Sequence, residues 1–417
     1  MLDIKFIREN QKIVQKAAKD KNIDIDINHV LEIDKKHKEL SIAVQKLREE
    51  RNILTESMKR KPTSEQIKKG KILKEKLEKE ENALKAVLEE LYMRLMEIPN
   101  LAKKDVRVGK NDTENEILKK VGKPTKFNFK PKDHLEIGEN LDIIDVLRAS
   151  KISGSRFYFL KNEGVLLEFA LRELAFEILL KDGFIPILPP VLIKKEVMKG
   201  LGYMEKGGDE DMYITEKDNL VLVGTSEQSI ASMHKDEIFD EKDLPKRYVG
   251  FSTCFRREAG SYGKDTKGIL RAHQFDKIEM VSYVVQGEDD KEHEYLLSLE
   301  EELLQALEIP YQVVKMCTGD LGFPTARKYD LEAWIPSENK YREVTSTSTT
   351  TDFQSRRLNI KYKKQNKTEF VNILNGTAFS TRPIIAILEN YQQEDGSVLI
   401  PKILQKYLNC EKIISKK

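Results

Sequence analysis

The chain has 417 residues, 34% of them charged and 39% apolar, with 72 Lys plus Arg against 70 Asp plus Glu. That length predicts two or three domains with at least one sizeable core, and the near-neutral total excludes a uniformly basic surface while leaving room for a basic segment. No apolar run approaches the roughly 20 residues of a membrane-spanning helix, and "MLDIKFIREN" lacks the apolar stretch of a signal peptide, so a cytoplasmic protein with no membrane association is expected. Cys254, Cys317 and Cys410 are too scattered for a disulfide framework or a zinc pattern, and no zinc is expected.

Residues 1–110 carry 27 Lys/Arg and 20 Asp/Glu, a net of +7, which leaves −5 for the remainder. Ile33, Leu40, Val44, Leu47, Leu54 and Met58 form a heptad seam, with His37 and Arg51 in its two remaining places. A second seam has Leu77, Leu84, Leu91 and Ile98 at intervals of seven, accompanied by Leu73, Val87, Leu88 and Leu95. Between them Pro62 breaks one helix, and Thr63 with Gln66 forms a capping box for the next, which predicts a long antiparallel helical hairpin. Around its tip, residues 51–79 hold ten Lys/Arg and four Glu. Such a tip is either the solvated end of a coiled coil or an arm that touches phosphates.

"MEIPNLAKKDVRVGK" breaks the helical period at Pro99, placing a domain boundary near residue 105, with domains 1–105 and 106–417. "VLLEFALRELAFEILLKDGF" (165–184) reads as a buried helix apolar on most faces and stopped at Gly183. Short β-rich runs follow: "NLVLVGTSE", "RYVGFSTCF", "DKIEMVSYVV", "YQVVKMCTG", "KYDLEAWI" and "EFVNILNGT", interrupted by one clear helix, "EHEYLLSLEEELLQALE". Strands mostly follow strands, so the fold class is α+β: the N-terminal hairpin, then an antiparallel sheet flanked by helices.

The chain has no phosphate-binding P-loop and no dinucleotide fingerprint. The densest chemistry lies in "FRREAGSYGKDTKGILRAHQFDKIE" (255–279), two strand ends joined by a loop containing Gly260, Gly263, Gly268, Lys264, Lys267 and Arg271. Such a cationic loop can close on a polyphosphate, with arginine supplying planar bidentate contacts.

This stretch resembles the second signature motif of the class II seryl-tRNA synthetases, bacterial type, and "LNGTAFSTRPIIAILENYQQEDGSVLIPKIL" resembles their third. "KDGFIPILPPVL", with Pro190, is similar to their first, "GTSEQS" (224–229) to their serine-site segment and "REVTSTSTTTDFQSRR" (342–357) to a further active-site strand. The resemblance spans nearly the whole chain and implies a class II catalytic domain behind a tRNA-binding arm. It implies an enzyme that joins L-serine to ATP as seryl-adenylate, then esterifies tRNA(Ser), and also tRNA(Sec) where that tRNA is present. It further implies a homodimer, with the arm of one subunit gripping the long variable arm of the tRNA while the acceptor end enters the partner's active site.

Residue by residue, the resemblance gives Arg256 as the bridge between the α-phosphate and the serine carboxylate and Arg382 as the cation on the other face of ATP. Glu258 would lie by the adenine, Arg271 by the outer phosphates and Phe275 against the ring. Glu343, Val344, Thr345 and Ser346 would complete the ATP site, with Glu343 and Ser346 holding Mg²⁺ through hard oxygen ligands. Thr225 and Glu227 would meet the serine α-amino group, while Glu279, Asn375 and Thr377 line the pocket, with Glu279 and Thr377 nearest the hydroxyl. One departure stands out: Asn375 to Arg382 is seven residues where the family has eight, which places a missing residue in the Ser380–Thr381 turn. Two rival readings are a synthetase-like RNA-binding protein and an enzyme that loads serine onto a carrier protein. The complete charged set counts against the first and the basic arm against the second.

Overall fold

The computed structural model describes all residues except 60–61, 206, 261–266 and 416–417, so Arg60 and Lys61 of the basic tip and the middle of the 255–279 loop lie outside the described residues. The chain divides into two compact units, Met1–Leu101 and Ala102–Lys417. The connector already belongs to the second unit. Lys103 donates its N–H to the Ala326 carbonyl at 2.9 Å and pairs through its ammonium with Asp289 at 2.6 Å, and Asp105 pairs with Lys315 at 3.3 Å.

The first unit is helical: α1 (Ile4–Glu9), α2 (Gln11–Asp20), α3 (Ile27–Ser57) and α4 (Ser64–Met96). Asp26 caps α3 by accepting the amides of Asn28 and His29, and Thr63 with Gln66 forms a reciprocal capping box at the start of α4. Val44 and Leu47 of α3 pack against Leu73 and Leu77 of α4, with Leu54 and Leu84 beside them, and Arg48 ties to Glu81 across the pair at 2.7 Å. Burying each such leucine is worth about 1.5–3 kcal/mol, far more than the exposed ion pair. The seam is looser than a strict heptad. Arg51 is exposed and Leu88 is 50% exposed, because a straight α-helix drifts off a seven-residue repeat over several turns. Near the start of α3, Asp34 is buried and paired with Arg8 of α1 at 2.6 Å.

The second unit is built on an eight-stranded sheet: β1 (Glu116–Val121), β2 (Ile185–Ile187), β3 (Lys246–Phe255), β4 (Gln274–Val284), β5 (Tyr311–Lys315), β6 (Arg327–Ile335), β7 (Lys340–Thr349) and β8 (Asn372–Ser380). The order is β1-β5-β6-β7-β8-β4-β3-β2, antiparallel throughout except the parallel β2–β3 edge. The run "NLVLVGTSE" is the exception among the expected strands. Its Leu220–Leu222 segment joins a separate three-stranded sheet with Leu192–Lys194 and Ile214–Thr215, and a short helix, Glu227–Ile230, follows.

Helices α5 (Glu163–Lys181), α6 (Asp289–Ala306) and α7 (Arg382–Asn390) contribute Leu171, Leu303 and Ile387 to one core shared with Met280, Leu331 and Phe379 of the sheet. α5 ends at Lys181, with Gly183 at φ 79° turning the chain into β2. Its apolar surface is not fully covered within one chain: Leu166 and Phe169 remain 47% and 46% exposed.

Candidate active site

β3 and β4 pair in register from Gln274 opposite Phe255, which brings Arg256 and Phe275 together at the mouth of the loop that joins them. The Arg256 guanidinium lies 5.3 Å from the Phe275 ring centroid, and its Nε donates to the Gly224 carbonyl at 3.0 Å. The segment containing Thr225 and Glu227 therefore braces the arginine through its backbone. Glu258 takes φ 53°, a conformation that side chains other than glycine seldom adopt, and accepts from Arg271 Nη1 at 3.3 Å.

Arg256, Glu258, Arg271 and Phe275 line one cleft with Lys277 of β4, Glu343, Val344, Thr345 and Ser346 of β7, Thr377 and Ser380 of β8, and Arg382 at the start of α7. Arg382 Nη1 reaches Glu343 Oε2 at 2.9 Å and its carbonyl at 3.2 Å. Burial works to raise the Glu343 pKa, but Arg382 and Lys328 outweigh it and hold the carboxyl well below the usual range. Val344 and Thr345 also engage groups outside the cleft. The Val344 side chain belongs to the core, at a register shift between β6 and β7, and the Thr345 hydroxyl donates to Glu300 at 3.0 Å.

Behind Lys277 and Thr377 lies a second group of polar side chains. Lys277 Nζ stands 2.6 Å from Glu279 Oε2 and donates to Thr225 Oγ1 at 3.1 Å, while Thr377 Oγ1 donates to Glu279 Oε2 at 3.3 Å. Glu279 is fully buried, and its other oxygen, Oε1, has no hydrogen-bond partner among the described residues. Burial pushes its pKa up, against the pull of Lys277. Glu227, also buried, accepts from the Tyr203 hydroxyl at 2.7 Å, and burial together with the nearby Glu279 pushes its carboxyl up to about 7.

Asn375 lies two residues before Thr377 on β8, on the same face of the strand. Ser348 of β7 donates to its Oδ1 at 3.1 Å and Thr347 to its carbonyl at 2.8 Å, and these bonds join β7 to β8.

Sequence reasoning missed Lys277 and Tyr203. Lys277 was legible in principle, since residues two apart on a strand share a face and Lys277 thus stands beside Glu279. Tyr203 carries no such signal, because only the tertiary fold brings it to Glu227.

The connection before Arg382 is a single residue. β8 runs through Ser380, α7 begins at Arg382, and Thr381 alone links them. The pairing of β4 with β8 skips one residue: Ile278 faces Phe379 but Glu279 faces Thr377, leaving Ala378 as a bulge. That bulge puts Thr377 opposite Glu279. Among the described residues no three His, Cys, Asp or Glu side chains are grouped to hold a metal ion; the oxygen-bearing side chains along the cleft include Glu343 and Ser346 together with Glu258, Thr377, Ser380 and Thr381.

Residues 1–102 match the family model described as seryl-tRNA synthetase N-terminal domain, and residues 211–391 match tRNA synthetase class II core domain (G, H, P, S and T). The chain is 45% identical to a serine–tRNA ligase of Dictyoglomus turgidum over the whole of both chains, and 44% identical to one of Treponema denticola over 99% of this chain and all of that one. Among solved structures, the seryl-tRNA synthetase of Pyrococcus horikoshii complexed with ATP superposes with a TM-score of 0.94 at 39% identity, covering both chains in full. The cytoplasmic serine–tRNA ligase of Naegleria fowleri in complex with AMP gives a TM-score of 0.90 at 33% identity, covering all of this chain and 99% of that one.

Proposed function

We propose a division of labour within a chain that belongs to the seryl-tRNA synthetase family of class II aminoacyl-tRNA synthetases and has the activity of a serine–tRNA ligase. ATP lies in the cleft with its adenine against Phe275 and beside Glu258, and its phosphates between Arg256, Arg271 and Arg382. The serine carboxylate attacks the α-phosphorus, forming the seryl-adenylate while pyrophosphate leaves. Arg256 holds the two anions together, and the cations spread the charge that develops on the phosphates. A hydroxyl of the terminal tRNA ribose then attacks the seryl carbonyl and AMP departs.

Serine occupies the inner group, its ammonium toward Glu227 and Thr225 and its hydroxyl toward Glu279 and Thr377, with Asn375 on the pocket's border. The observation that carries this placement is Glu279 Oε1, a buried acceptor without a donor, since an unmatched buried oxygen costs about 1–3 kcal/mol. A serine hydroxyl supplies the donor and alanine does not.

The cleft's donor set fits Mg²⁺: Glu343 is kept ionised and Ser346 offers a second hard oxygen. Bound there, the ion would neutralise phosphate charge. The set offers no sulfur or imidazole of the kind zinc prefers.

The basic hairpin tip grips tRNA(Ser), and tRNA(Sec) where present, through its backbone and shape, in the cytoplasm. Two copies pair through the motif-one region around Gly183–Leu192, a reading supported by the exposed Leu166, Phe169 and Ile185; a fully active monomer in sedimentation at assay concentration would refute it. Removing residues 35–95 tests the division of labour itself. Serine-dependent ATP–pyrophosphate exchange should persist while tRNA charging collapses, and equal loss of both in a folded variant would show that the arm takes part in activation.

A further inference from the structure

A second cavity, of about 360 Å³, shares Phe275 and Thr381 with the ATP cleft but is otherwise lined by different residues. That volume is in the range of small-molecule sites. Ile152, Phe157 and Phe159 supply apolar and aromatic wall, and Tyr158, Glu168 and Asp276 supply oxygen atoms. No lysine, arginine or histidine is among the described residues that line it. Glu168 projects from α5 with its Oε2 out of solvent contact and without a hydrogen-bond partner. Asp276 of β4 accepts from Thr253 through Oδ1 at 2.7 Å, and Tyr158 donates to Thr381 at 3.3 Å. Arg172, on the same helix as Glu168, lies over the rings of Phe169 and Phe251 at 4.6 and 5.0 Å.

We propose that this cavity binds a small organic cation, a primary ammonium on an aromatic or branched aliphatic body, and that its occupancy is linked to ATP binding through the shared Phe275. An ammonium brings the donors that the Glu168 oxygen lacks and the charge that two carboxyl groups in one cavity call for, while the aromatic wall favours a cation and covers an apolar body. A carboxylate or phosphate ligand would meet like charge, with no cation among the described lining residues to offset it. Phe275 borders both spaces and faces Arg256 on the cleft side, so a ligand that fixes its ring alters the surface offered to adenine. By reciprocity ATP then alters the affinity of the cation. This linkage, unlike the binding, rests on placing ATP against Phe275.

Proton uptake supplies an independent signature. Burial and the Asp276 carboxylate push Glu168 up to about 8, against the weaker pull of Arg172, and the Tyr158 hydroxyl, the remaining titratable group on the wall, ionises only at far higher pH. An arriving cation favours the ionised form, so binding should release a proton below about pH 8 and strengthen as pH rises toward it.

Calorimetry of the full-length protein with phenethylammonium tests the site. One molecule per chain should bind, with affinity rising from about pH 6 to about pH 8, whereas 2-phenylethanol and 3-phenylpropionate should bind at least about tenfold more weakly. Glu168→Gln should lose about tenfold in affinity together with the pH dependence. Ile152→Trp, at a position 73% exposed and so safe for folding, should close the cavity and abolish binding. Saturating phenethylammonium should change the KM for ATP in pyrophosphate exchange and leave the KM for serine alone. Absence of binding, or undiminished binding in both variants, overturns the site. Strict competition with ATP overturns it too, since the probe would then occupy the cleft. Binding without any effect on ATP overturns the linkage alone.

Discussion

The outer cleft and the inner pocket of the second unit use the same kinds of residue to opposite electrostatic ends. In the cleft Glu343 is held ionised against its burial by Arg382, Lys328 and Arg256. In the pocket two buried carboxyls, Glu227 and Glu279, stand near a single lysine, and both pKa values rise. Burial acts on all three, so the balance of cations to carboxyls decides the outcome. A cleft with spare positive charge suits polyphosphate, and a pocket short of one suits a ligand that arrives with an ammonium.

The largest effect should come from breaking the cleft's surplus. With ATP placed as proposed, Arg382→Ala should remove a charge-assisted contact to its phosphates and lower serine-dependent pyrophosphate exchange by roughly 10²–10³-fold. A loss below about tenfold would mean that the cleft's charge is distributed more evenly than its geometry implies.

The pocket is probed next by Thr377→Val. With Glu279 losing a hydroxyl neighbour, the preference for serine over alanine, measured as a ratio of kcat/KM values, should fall by about tenfold. An unchanged ratio would assign the discrimination to Glu279 alone and leave the Ala378 bulge without a part in specificity.

The smallest effect concerns pH. In the folded chain Glu227 stays protonated up to about 7, whereas unfolded it ionises near its ordinary 4.5. Its raised value therefore favours the fold at low pH, and that contribution is lost as pH climbs from about 4.5 to about 7. Serine affinity runs the other way, because an ionised Glu227 is what an ammonium requires. The KM for serine should drop as pH rises through about 7 and level off above it. Tyr203→Phe removes a hydrogen bond that favours the ionised form and should move this midpoint upward. A midpoint that stays in place would mean that Glu227 does not govern serine binding.

Much of this architecture is legible in the chain because it is periodic or contiguous. Val44, Leu47, Leu73 and Leu77 announce the hairpin through spacing alone, and the 255–279 stretch shows two strand ends and the loop between them. Arg256, Glu258, Arg271, Phe275, Glu343, Ser346, Thr377 and Arg382 do line one cleft, as the motifs imply. Illegible features depend on pairing between distant segments. The Ala378 bulge exists only in the register of β8 against β4, so no count of residues along the chain reveals it. The exposure of Arg51 and Leu88 likewise depends on how the two helices face each other along their length. Asn375 lies in a recognisable motif, yet its hydrogen bonds to Ser348 and Thr347 depend on strand order.

Tyr203, Thr225, Lys277, Glu279 and Thr377 span most of the second unit's length, and each reaches the pocket from a different stretch of chain or strand position. Such long-range closures are slow to form and late to be rewarded in folding, so no fragment that lacks β8 can bring these groups together. Serine is consequently a ligand of the complete sheet only. Whatever affinity the pocket has is added in full to the free energy of that unit's cooperative unfolding, through RT ln(1 + [L]/Kd), and the helices of Met1–Leu101, which contribute none of these groups, receive none of it directly.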